Sequence, residues 1–383
     1  MNPLYADMPL SIFERMSMAA IRHGAVNLGQ GFPDFGWPEP LVEEAARQLR
    51  EGSNQYPPSR GLPVLREAVA AHYGRRDQLP LTADHVLVTS GATEAIAAAI
   101  LAMVGPGDEA IVIAPAYDAY APLIRRAGGV VREVSLRPPE WRLDESALRA
   151  ALTERTRLLV LNNPHNPTGR LFDRGELDAV AAMSRDHDLF VLADEVWEHV
   201  LLDGAAFTAF ATLPGMADRT LKCGSAGKIF SLTGWKVGWL VAPPALAGVV
   251  ARAHQFLTFA TPPSLQAAVA VGLQHDEWLA PMRQAFTRAR DRLVEGLEGA
   301  GYAVLPAHAT YFQCVDLARS GIAMSDEDFA KLAVEQAGVA TIPLSPFFET
   351  EPVTTMVRLC FAKRDSTIDA GLAALAKARR LVC

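Results

Sequence analysis

Four polar segments of the chain each follow a short apolar run, and their side chains are of types that do chemistry. They are S-G-A-T at 90–93, N-P-H-N-P-T-G at 163–169, Asp194, and S-A-G-K at 225–228. The first opens a helical pattern, where free N–H groups and the helix dipole can seat a phosphate. A carboxylate after an apolar strand needs a cation or donor, because an unpaired buried charge is costly. The amine of Lys228 could act as a nucleophile or a base.

Each of these segments alone also has an ordinary explanation, as a turn, a surface loop, an ion pair or a solvated lysine. What decides between the explanations is whether the fold brings them together. In open α/β sheets, ligands bind beyond the carboxyl ends of the strands. Asn166, Asp194 and Lys228 each follow a predicted strand, separated by about one strand–loop–helix unit. We therefore expect them to converge on one rim.

The elements that would hold these segments alternate between β-rich apolar runs and helical patterns. This alternation predicts an α/β fold, with a mixed, mostly parallel sheet between helices. The predicted strands are 85–90, 110–114, 130–136, 157–162, 189–193, 220–225 and 237–241, and the predicted helices are 92–103, 117–127, 144–152, 173–187 and 244–256.

The two ends of the chain have a different character from its middle. After about residue 275 a long helical pattern, 278–297, leads into shorter strands at 302–305, 310–315 and 357–361, which is typical of a smaller α+β domain. Residues 1–40 show scattered Pro and Gly and little periodicity. We expect an N-terminal arm and part of the small domain at 1–40, a large domain at 41–275 and a C-terminal small domain at 276–383.

Composition narrows the class of protein. At 383 residues the chain exceeds the size of one hydrophobic core, and 50% hydrophobic with 21% charged residues is ordinary for a globular protein. A net charge of −7 argues against nucleic acid as a partner. No apolar run is long enough for a membrane span and no secretory signal is visible, so we expect a cytoplasmic protein. The cysteines, which are far apart and form no C-x-x-C pair, argue against a metal site: Cys223, Cys314, Cys360 and Cys383.

Taken in order, the motifs N-P-x-G, D-E, S-x-x-K and G-W-K-x-G resemble those of the fold-type I pyridoxal-phosphate enzymes of the class I/II aminotransferase family. The resemblance extends over nearly the whole chain, including N-L-G-Q-G-F-P-D-F at 27–35, N-Q-Y-P at 54–57 and V-R-L-C-F at 357–361. The N-P-H-N-P turn and I-P-L-S at 342–345 are most similar to the branch of kynurenine/glutamine and bacterial methionine aminotransferases.

The resemblance implies a role for each matching residue. Lys228 would carry pyridoxal phosphate as a Schiff base and, once released, move a proton at the substrate's Cα. Asp194 would keep the pyridine nitrogen protonated, so that the ring acts as an electron sink. Asn166 would donate to the cofactor's 3-oxygen beside the substrate, and Tyr117 would stack on the ring. The implied phosphate-binding residues are Ala92, Thr93, Ser225 and Lys236.

Three further positions concern the substrate and a partner subunit. Arg358 matches the arginine that clamps the substrate α-carboxylate, for which a bidentate guanidinium is well suited. Gly31 matches the glycine whose backbone approaches the substrate. Tyr56 matches a residue that reaches the phosphate of the neighbouring subunit, which implies a homodimer.

One position departs from the family pattern. The family usually has a tyrosine three residues after the aspartate, and its hydroxyl bonds the 3-oxygen; this chain has Trp197 there. An indole N–H can donate, but not from the position of the phenol. We therefore predict a weaker hold on the anionic 3-oxygen and a raised pKa of the Schiff base.

The implied activity is transamination between an L-amino acid and a 2-oxo acid. Aromatic residues in segments that border the family's substrate pocket favour methionine, aromatic, kynurenine or glutamine-like substrates: Phe13, Phe32, Phe35, Trp37 and Phe347. The alternatives are an N-succinyldiaminopimelate aminotransferase, which should show an extra cationic pocket, and a carbon–sulfur β-lyase. A non-enzymatic cofactor-binding regulator is disfavoured because no length is left for a DNA-binding module. A Rossmann dehydrogenase is excluded because no G-x-G-x-x-G follows the first strand.

Overall fold

A computed structural model of the chain describes residues 1, 3–6 and 8–382. The N-terminal part contains more helix than the sequence analysis predicted. Its elements are α1 (Pro3–Ala6), α2 (Ile12–His23), β1 (Val26–Asn27), α3 (Glu39–Glu51) and α4 (Pro63–Asp77).

Residues 1–40 were predicted to have little periodicity, but α2 has a regular helical pattern. The Ser11 hydroxyl accepts from the Phe13 N–H at the start of this helix, and Gly24 ends it in the left-handed conformation with φ 59°. The buried side chains recur at helical spacing, at Ile12, Met16, Ala19 and Ala20. They pack against C-terminal residues such as Val334 and Ile342. Helix α2 therefore packs with the C-terminal part of the chain.

The central part of the chain alternates strands with helices, as predicted. Its elements are β2 (Val86–Thr89), α5 (Ala92–Met103), β3 (Glu109–Ala114), α6 (Tyr120–Arg126), β4 (Val130–Ser135), α7 (Glu145–Ala150), β5 (Thr156–Asn162), α8 (Arg174–Asp186), β6 (Phe190–Asp194), β7 (Thr220–Ser225), α9 (Ala226–Ile229), β8 (Gly238–Val241), α10 (Pro244–His254) and α11 (Pro263–Gly272). Every predicted strand and helix of this region is present, with ends displaced by at most three residues.

The strands form one seven-stranded sheet in the order β2-β8-β7-β6-β5-β3-β4. Strands β3 to β7 pair in parallel, whereas β8 is antiparallel to both β2 and β7. The α/β class with a mixed, mostly parallel sheet is confirmed. Strands β2, β3 and β7 are buried along their whole length, because helices cover both faces of the sheet.

The C-terminal part forms a smaller α+β unit. Its elements are α12 (Leu279–Gly299), β9 (Ala303–Val304), β10 (Phe312–Asp316), α13 (Asp326–Leu332), β11 (Val339–Ala340), β12 (Ile342–Pro343), β13 (Met356–Cys360) and α14 (Asp365–Val382). An antiparallel sheet has the order β12-β13-β10-β9, and the N-terminal β1 pairs in parallel with β11. The domain boundaries at 40/41 and 275/276 stay a prediction.

Behind the carboxyl edge of the large sheet lies a buried ionic cluster around Lys222. Its Nζ atom is 2.6 Å from carboxylate oxygens of both Glu195 and Glu198, and 3.4 Å from Asp77.

Cys223, Cys314 and Cys360 are buried free thiols, while Cys383 lies outside the described residues. None of the described helices combines the length and apolar character needed to cross a bilayer.

Candidate active site

The carboxyl edge of the seven-stranded sheet gathers the polar segments into one place. In the parallel register, Asn162 lies opposite Asp194, and Asp194 opposite Cys223, so β5, β6 and β7 end together. Strand β8 runs the other way, so it begins at this rim with Gly238 opposite both Thr89 and Ser225. Residues before β8 and residues after β7 therefore meet at the same edge.

A cavity of about 370 Å³ opens at this rim, within the size range of small-molecule sites. Eleven of the twelve site residues predicted from the sequence line it: Gly31, Ala92, Thr93, Tyr117, Asn166, Asp194, Trp197, Ser225, Lys228, Lys236 and Arg358. The twelfth, Tyr56, is 89% exposed on the surface, with its ring edge-on to Phe259 at 5.8 Å. The structure thus brings the predicted set together except for Tyr56.

Asp194 ends β6 at the base of the cavity and is 5% exposed. Its Oδ2 accepts a hydrogen bond of 2.5 Å from the buried Tyr120 hydroxyl. Its Oδ1 is buried with no hydrogen-bond partner among the described residues. Burial raises the pKa of this carboxyl, while the hydrogen bond from Tyr120 acts in the opposite direction. A carboxylate with an unbonded, buried oxygen, on a residue that lines a cavity, suits a ligand N–H.

Lys228 lies in the short helix α9, directly after β7. Its Nζ donates to the Tyr311 hydroxyl at 3.0 Å and lies 4.5 Å from the centroid of the Trp197 ring. Burial lowers the pKa of Lys228 to about 8, and the nearby positive charge of Arg358 acts in the same direction. A large fraction of this amine is therefore neutral near pH 8, as a nucleophile or a base requires.

A second part of the cavity lining suits an anion. Helix α5 starts after Gly91 without a side-chain cap, so its first N–H groups and dipole face the cavity. The Nζ of Lys236 lies close to the start of this helix, because a Cβ placed on Gly91 would be only 3.2 Å from it. A Cβ on Gly238 would be 2.5 Å from the Gly91 carbonyl carbon, so glycine there lets β8 approach the start of α5. The cation of Lys236 and the N-terminal end of α5 together suit a phosphate group.

Arg358 projects from β13 into the third side of the cavity and is 1% exposed. Its NH1 donates to Asn166 Oδ1 at 2.7 Å and its NH2 to the Gly29 carbonyl at 3.1 Å. Its guanidinium lies over the Phe312 ring at 3.7 Å. Burial lowers the pKa of Arg358 to about 10, so it stays protonated at neutral pH. No carboxylate of the described residues forms an ion pair with it, which suits a substrate carboxylate.

The aromatic walls differ in part from the prediction. Phe13 and Phe32 line the cavity, but Phe35, Trp37 and Phe347 do not. Phe35 packs on Phe286, Trp37 is 44% exposed, and Phe347 lies beneath Phe13 with ring centroids 5.7 Å apart. These three rings therefore do not line the cavity, because they contact neighbouring side chains or solvent instead; that their segments border the substrate pocket stays a prediction.

The sequence analysis also missed functional neighbours. Tyr120 holds Asp194, Tyr311 accepts from Lys228, and Phe312 and Gln30 line the cavity. The Y-F pair at 311–312 opens a predicted strand, and Tyr120 stands three residues after Tyr117. In the sequence, only these positions could have indicated a role at the site. Aromatic residues at such positions are explained equally well by packing in the core.

This donor set fits the cofactor that the sequence motifs imply. An amine, a carboxylate with an unbonded oxygen, and a cation beside an open helix end match the aldehyde, ring nitrogen and phosphate of pyridoxal phosphate. The chain belongs to the family of class I and II aminotransferases, whose model matches residues 23–375.

Individual relatives share this family and differ in substrate. The chain is 43% identical over 375 residues to a probable N-succinyldiaminopimelate aminotransferase of Mycobacterium tuberculosis, covering 94% of each chain. It is 39% identical over 388 residues to methionine aminotransferase of Escherichia coli, covering 99% of each. It is 36% identical to rat kynurenine–oxoglutarate transaminase 1, covering 91% of this chain and 90% of the relative.

Solved structures agree with these similarities over almost the whole chain. The Mycobacterium tuberculosis N-succinyldiaminopimelate aminotransferase superposes with a TM-score of 0.93 at 42% identity, covering 96% of this chain and 97% of the other. The Escherichia coli protein with a methionine aminotransferase function superposes with a TM-score of 0.94 at 37% identity, covering 98% and 99%. The fold-type I architecture and the aminotransferase activity follow from this kinship.

Proposed function

We propose that the chain holds pyridoxal phosphate at the rim cavity, with Lys228 as its covalent attachment point, and transfers amino groups between an L-amino acid and a 2-oxo acid. Bound there, the cofactor supplies an electron sink for the negative charge that develops at the substrate's Cα. The observation that carries the proposal is the buried, unbonded Oδ1 of Asp194, in a cavity that is also lined by Lys236 and by Lys228, whose pKa is lowered.

The side chains of the cavity divide the work between them. Asp194 would bind the ring nitrogen of the cofactor and keep it protonated, with Tyr120 fixing the orientation of the carboxylate. Lys228 takes a proton from the substrate's Cα and returns it, which an amine with a pKa of about 8 does well near neutral pH. Arg358 binds the α-carboxylate and Asn166, already bonded to Arg358 through Oδ1, keeps its amide NH₂ for the cofactor oxygen.

The charges around the site favour a substrate with a neutral side chain. Among the described residues that line the cavity, the cations are Lys228, Lys236 and Arg358, and each has one of the roles above. An adjoining cavity, which shares Phe13, Gln30, Thr93 and Tyr117 with the first, carries Glu14 and Asp118 and no Lys or Arg among its described lining residues. A distal carboxylate on the substrate would meet like charge there. Methionine, aromatic, kynurenine and glutamine-like amino acids fit these walls.

The second candidate is N-succinyldiaminopimelate, because the Mycobacterium tuberculosis relative named for that substrate is 43% identical. It would need a cation for the succinyl carboxylate, beyond the three already assigned. The experiment that separates the two is a steady-state panel of neutral amino acids, aspartate and N-succinyl-LL-diaminopimelate with several 2-oxo acids. A higher kcat/KM for the succinylated substrate than for every neutral amino acid would overturn the neutral-side-chain proposal.

The assignment of Lys228 has a direct test. Reduction of the cofactor-loaded protein with borohydride should label Lys228, and Lys228→Ala should bind no coloured cofactor. Lys377→Ala, on α14 away from the cavity, is the matched control and should behave as the unchanged protein. Pyruvate release from cystathionine, measured in the same preparation, tests the carbon–sulfur lyase alternative. A label on another lysine would defeat the assignment.

A homodimer is the proposed assembly, with Tyr56 completing the partner's cofactor site. Support comes from three aromatic side chains that are exposed to solvent in the single chain: Tyr56 is 89% exposed, Phe256 86% and Phe259 45%. Sedimentation should give twice the chain mass, and Tyr56→Phe should weaken cofactor binding without changing that mass. A monomer with full activity would contradict the proposal. The cytoplasmic location stays a prediction from the sequence.

A further inference from the structure

Tyr311 links the proposed catalytic lysine to the N-terminal segment. Its hydroxyl donates to the Gly31 carbonyl at 2.7 Å and accepts from Lys228 Nζ at 3.0 Å. A carbonyl oxygen can only accept, so the single phenol proton is committed to Gly31. The bond to Lys228 must then run from the amine to the phenol oxygen. The direction of the whole chain of hydrogen bonds is fixed by this one carbonyl.

The ring of Tyr311 has little freedom to change this arrangement. Tyr311 is 0% exposed and lies behind the cavity wall. It packs edge-on against Trp197 with centroids 4.5 Å apart, and against Phe312 at 5.0 Å. Trp197 in turn faces the same amine, with its ring centroid 4.5 Å from Nζ. The amine is therefore held between one oxygen acceptor and one aromatic face.

We infer that Tyr311 is a positioning residue for Lys228: it binds one N–H of the free amine and thereby restricts the lone pair to the remaining staggered positions, away from the phenol. This inference rests on the role of Lys228 in the proposed function. A base without such an acceptor would rotate about its Cε–Nζ bond, and misdirected lone pairs reduce the rate of proton transfer. Tyr311 does not itself exchange the proton, because burial raises its pKa well above the ordinary value and its proton is bound to Gly31.

The test replaces the hydroxyl and keeps the ring, in Tyr311→Phe. The matched control is Tyr302→Phe, which removes another buried phenol that donates to a backbone carbonyl, that of Leu375, outside the cavity. We expect Tyr311→Phe to lower kcat about tenfold with KM unchanged, the order of one hydrogen bond in the transition state. Tyr302→Phe should retain both constants.

A second readout does not depend on turnover. Cofactor-free protein takes up pyridoxal phosphate through the neutral amine, so the uptake rate, followed by visible absorbance, should rise with a midpoint near pH 8. Tyr311 accepts from the amine and favours its charged form, so Tyr311→Phe should move the midpoint to lower pH. The other titratable and charged groups that act on this amine are the same in Tyr311→Phe and in the unchanged protein, namely Asp194, Lys236, Arg358 and the Cys360 thiol.

An unchanged midpoint together with an unchanged kcat in Tyr311→Phe would overturn the inference. If that variant does not fold, 3-fluorotyrosine introduced at position 311 keeps the shape and both bonds but makes the oxygen a poorer acceptor. A smaller shift in the same direction is then expected, and no shift overturns the inference. The unchanged protein is measured alongside: if it takes up no coloured cofactor, the proposed role of Lys228 fails instead.

Discussion

Replacing Gly31 by alanine should damage substrate binding through a single misplaced methyl group. A Cβ at this position would lie 2.6 Å from Cζ and 2.8 Å from Cε1 of Phe312. Carbon atoms in ordinary contact are about 3.5 Å apart or more, so the ring must move by roughly 1 Å. Phe312 is 2% exposed and packs against Trp197, so it has little space to yield.

The displacement reaches the substrate through Arg358, whose guanidinium lies 3.7 Å from the Phe312 ring centroid. A misplacement of about 1 Å at a substrate-positioning group costs on the order of 10²-fold in rate. We therefore expect Gly31→Ala to lower kcat/KM about 100-fold. Overpacking should cost about 1–3 kcal/mol in the free energy of unfolding. The visible band of bound cofactor shows whether the displacement also reaches Asn166, whose Oδ1 accepts a hydrogen bond from Arg358.

The assay is kcat/KM for methionine or phenylalanine, with thermal melting and the cofactor spectrum measured on the same samples. Gly248→Ala on α10 is the control, since a Cβ there meets nothing within 4 Å. It should keep full activity and gain up to about 1 kcal/mol from helix propensity. If Gly31→Ala keeps kcat/KM within about threefold of the unchanged protein, a range well below the expected 10²-fold loss, the Phe312–Arg358 contact does not position the substrate and the reasoning fails.

Three further predictions concern Trp197, Lys222 and Asp194. Trp197→Tyr should restore a phenol donor to the cofactor's anionic 3-oxygen, so the midpoint of the pH titration of the visible band should move to lower pH; an equal midpoint counts against the prediction. Lys222→Met should leave Glu195 and Glu198 without their shared cation and cost about 3–5 kcal/mol in urea unfolding, whereas the exposed control Lys377→Met should cost little. Asp194→Asn should abolish transamination but stabilise the cofactor-free protein at neutral pH. The folded-state pKa of Asp194 is raised by burial, so its stabilising contribution is present below the ordinary pKa and lost as pH rises through the folded value. The melting advantage of the amide should disappear in acid, and a variant that melts below the unchanged protein at neutral pH would contradict this sign.

The arrangement of the large sheet could be predicted because its strands are apolar runs punctuated by Gly, Pro and capping residues. Helix 92–103 and strand 220–225 were predicted with the observed bounds. The antiparallel direction of β8 could not be predicted, since an apolar run carries no direction. Helix α2 was missed although Ser11 and Gly24 mark its ends, because Pro and Gly on either side obscured a short amphipathic pattern.

The cavity residues could be predicted where a motif carries them and not where only the fold does. The polar residues after strands fall on one rim because parallel strands end together. Tyr120 and Tyr311 act through partners 74 and 83 residues away in sequence, and nothing in the spacing reveals such pairs. Phe35, Trp37 and Phe347 lie in segments next to the cavity but do not line it. A residue's closeness in sequence to a cavity segment does not determine the direction in which its ring points.

The position of Arg358 gives the two proposed binding tasks different origins along the chain. The residues proposed to hold the cofactor from within one chain all come from the continuous stretch 92–236, whereas Arg358 comes from β13 and is bonded to Gly29 near the N-terminus and Asn166 in the middle. The proposed substrate clamp therefore depends on three distant parts of the sequence at once. A change near either end of the polypeptide can alter amino-acid recognition while the proposed cofactor-binding residues of the same chain stay unchanged.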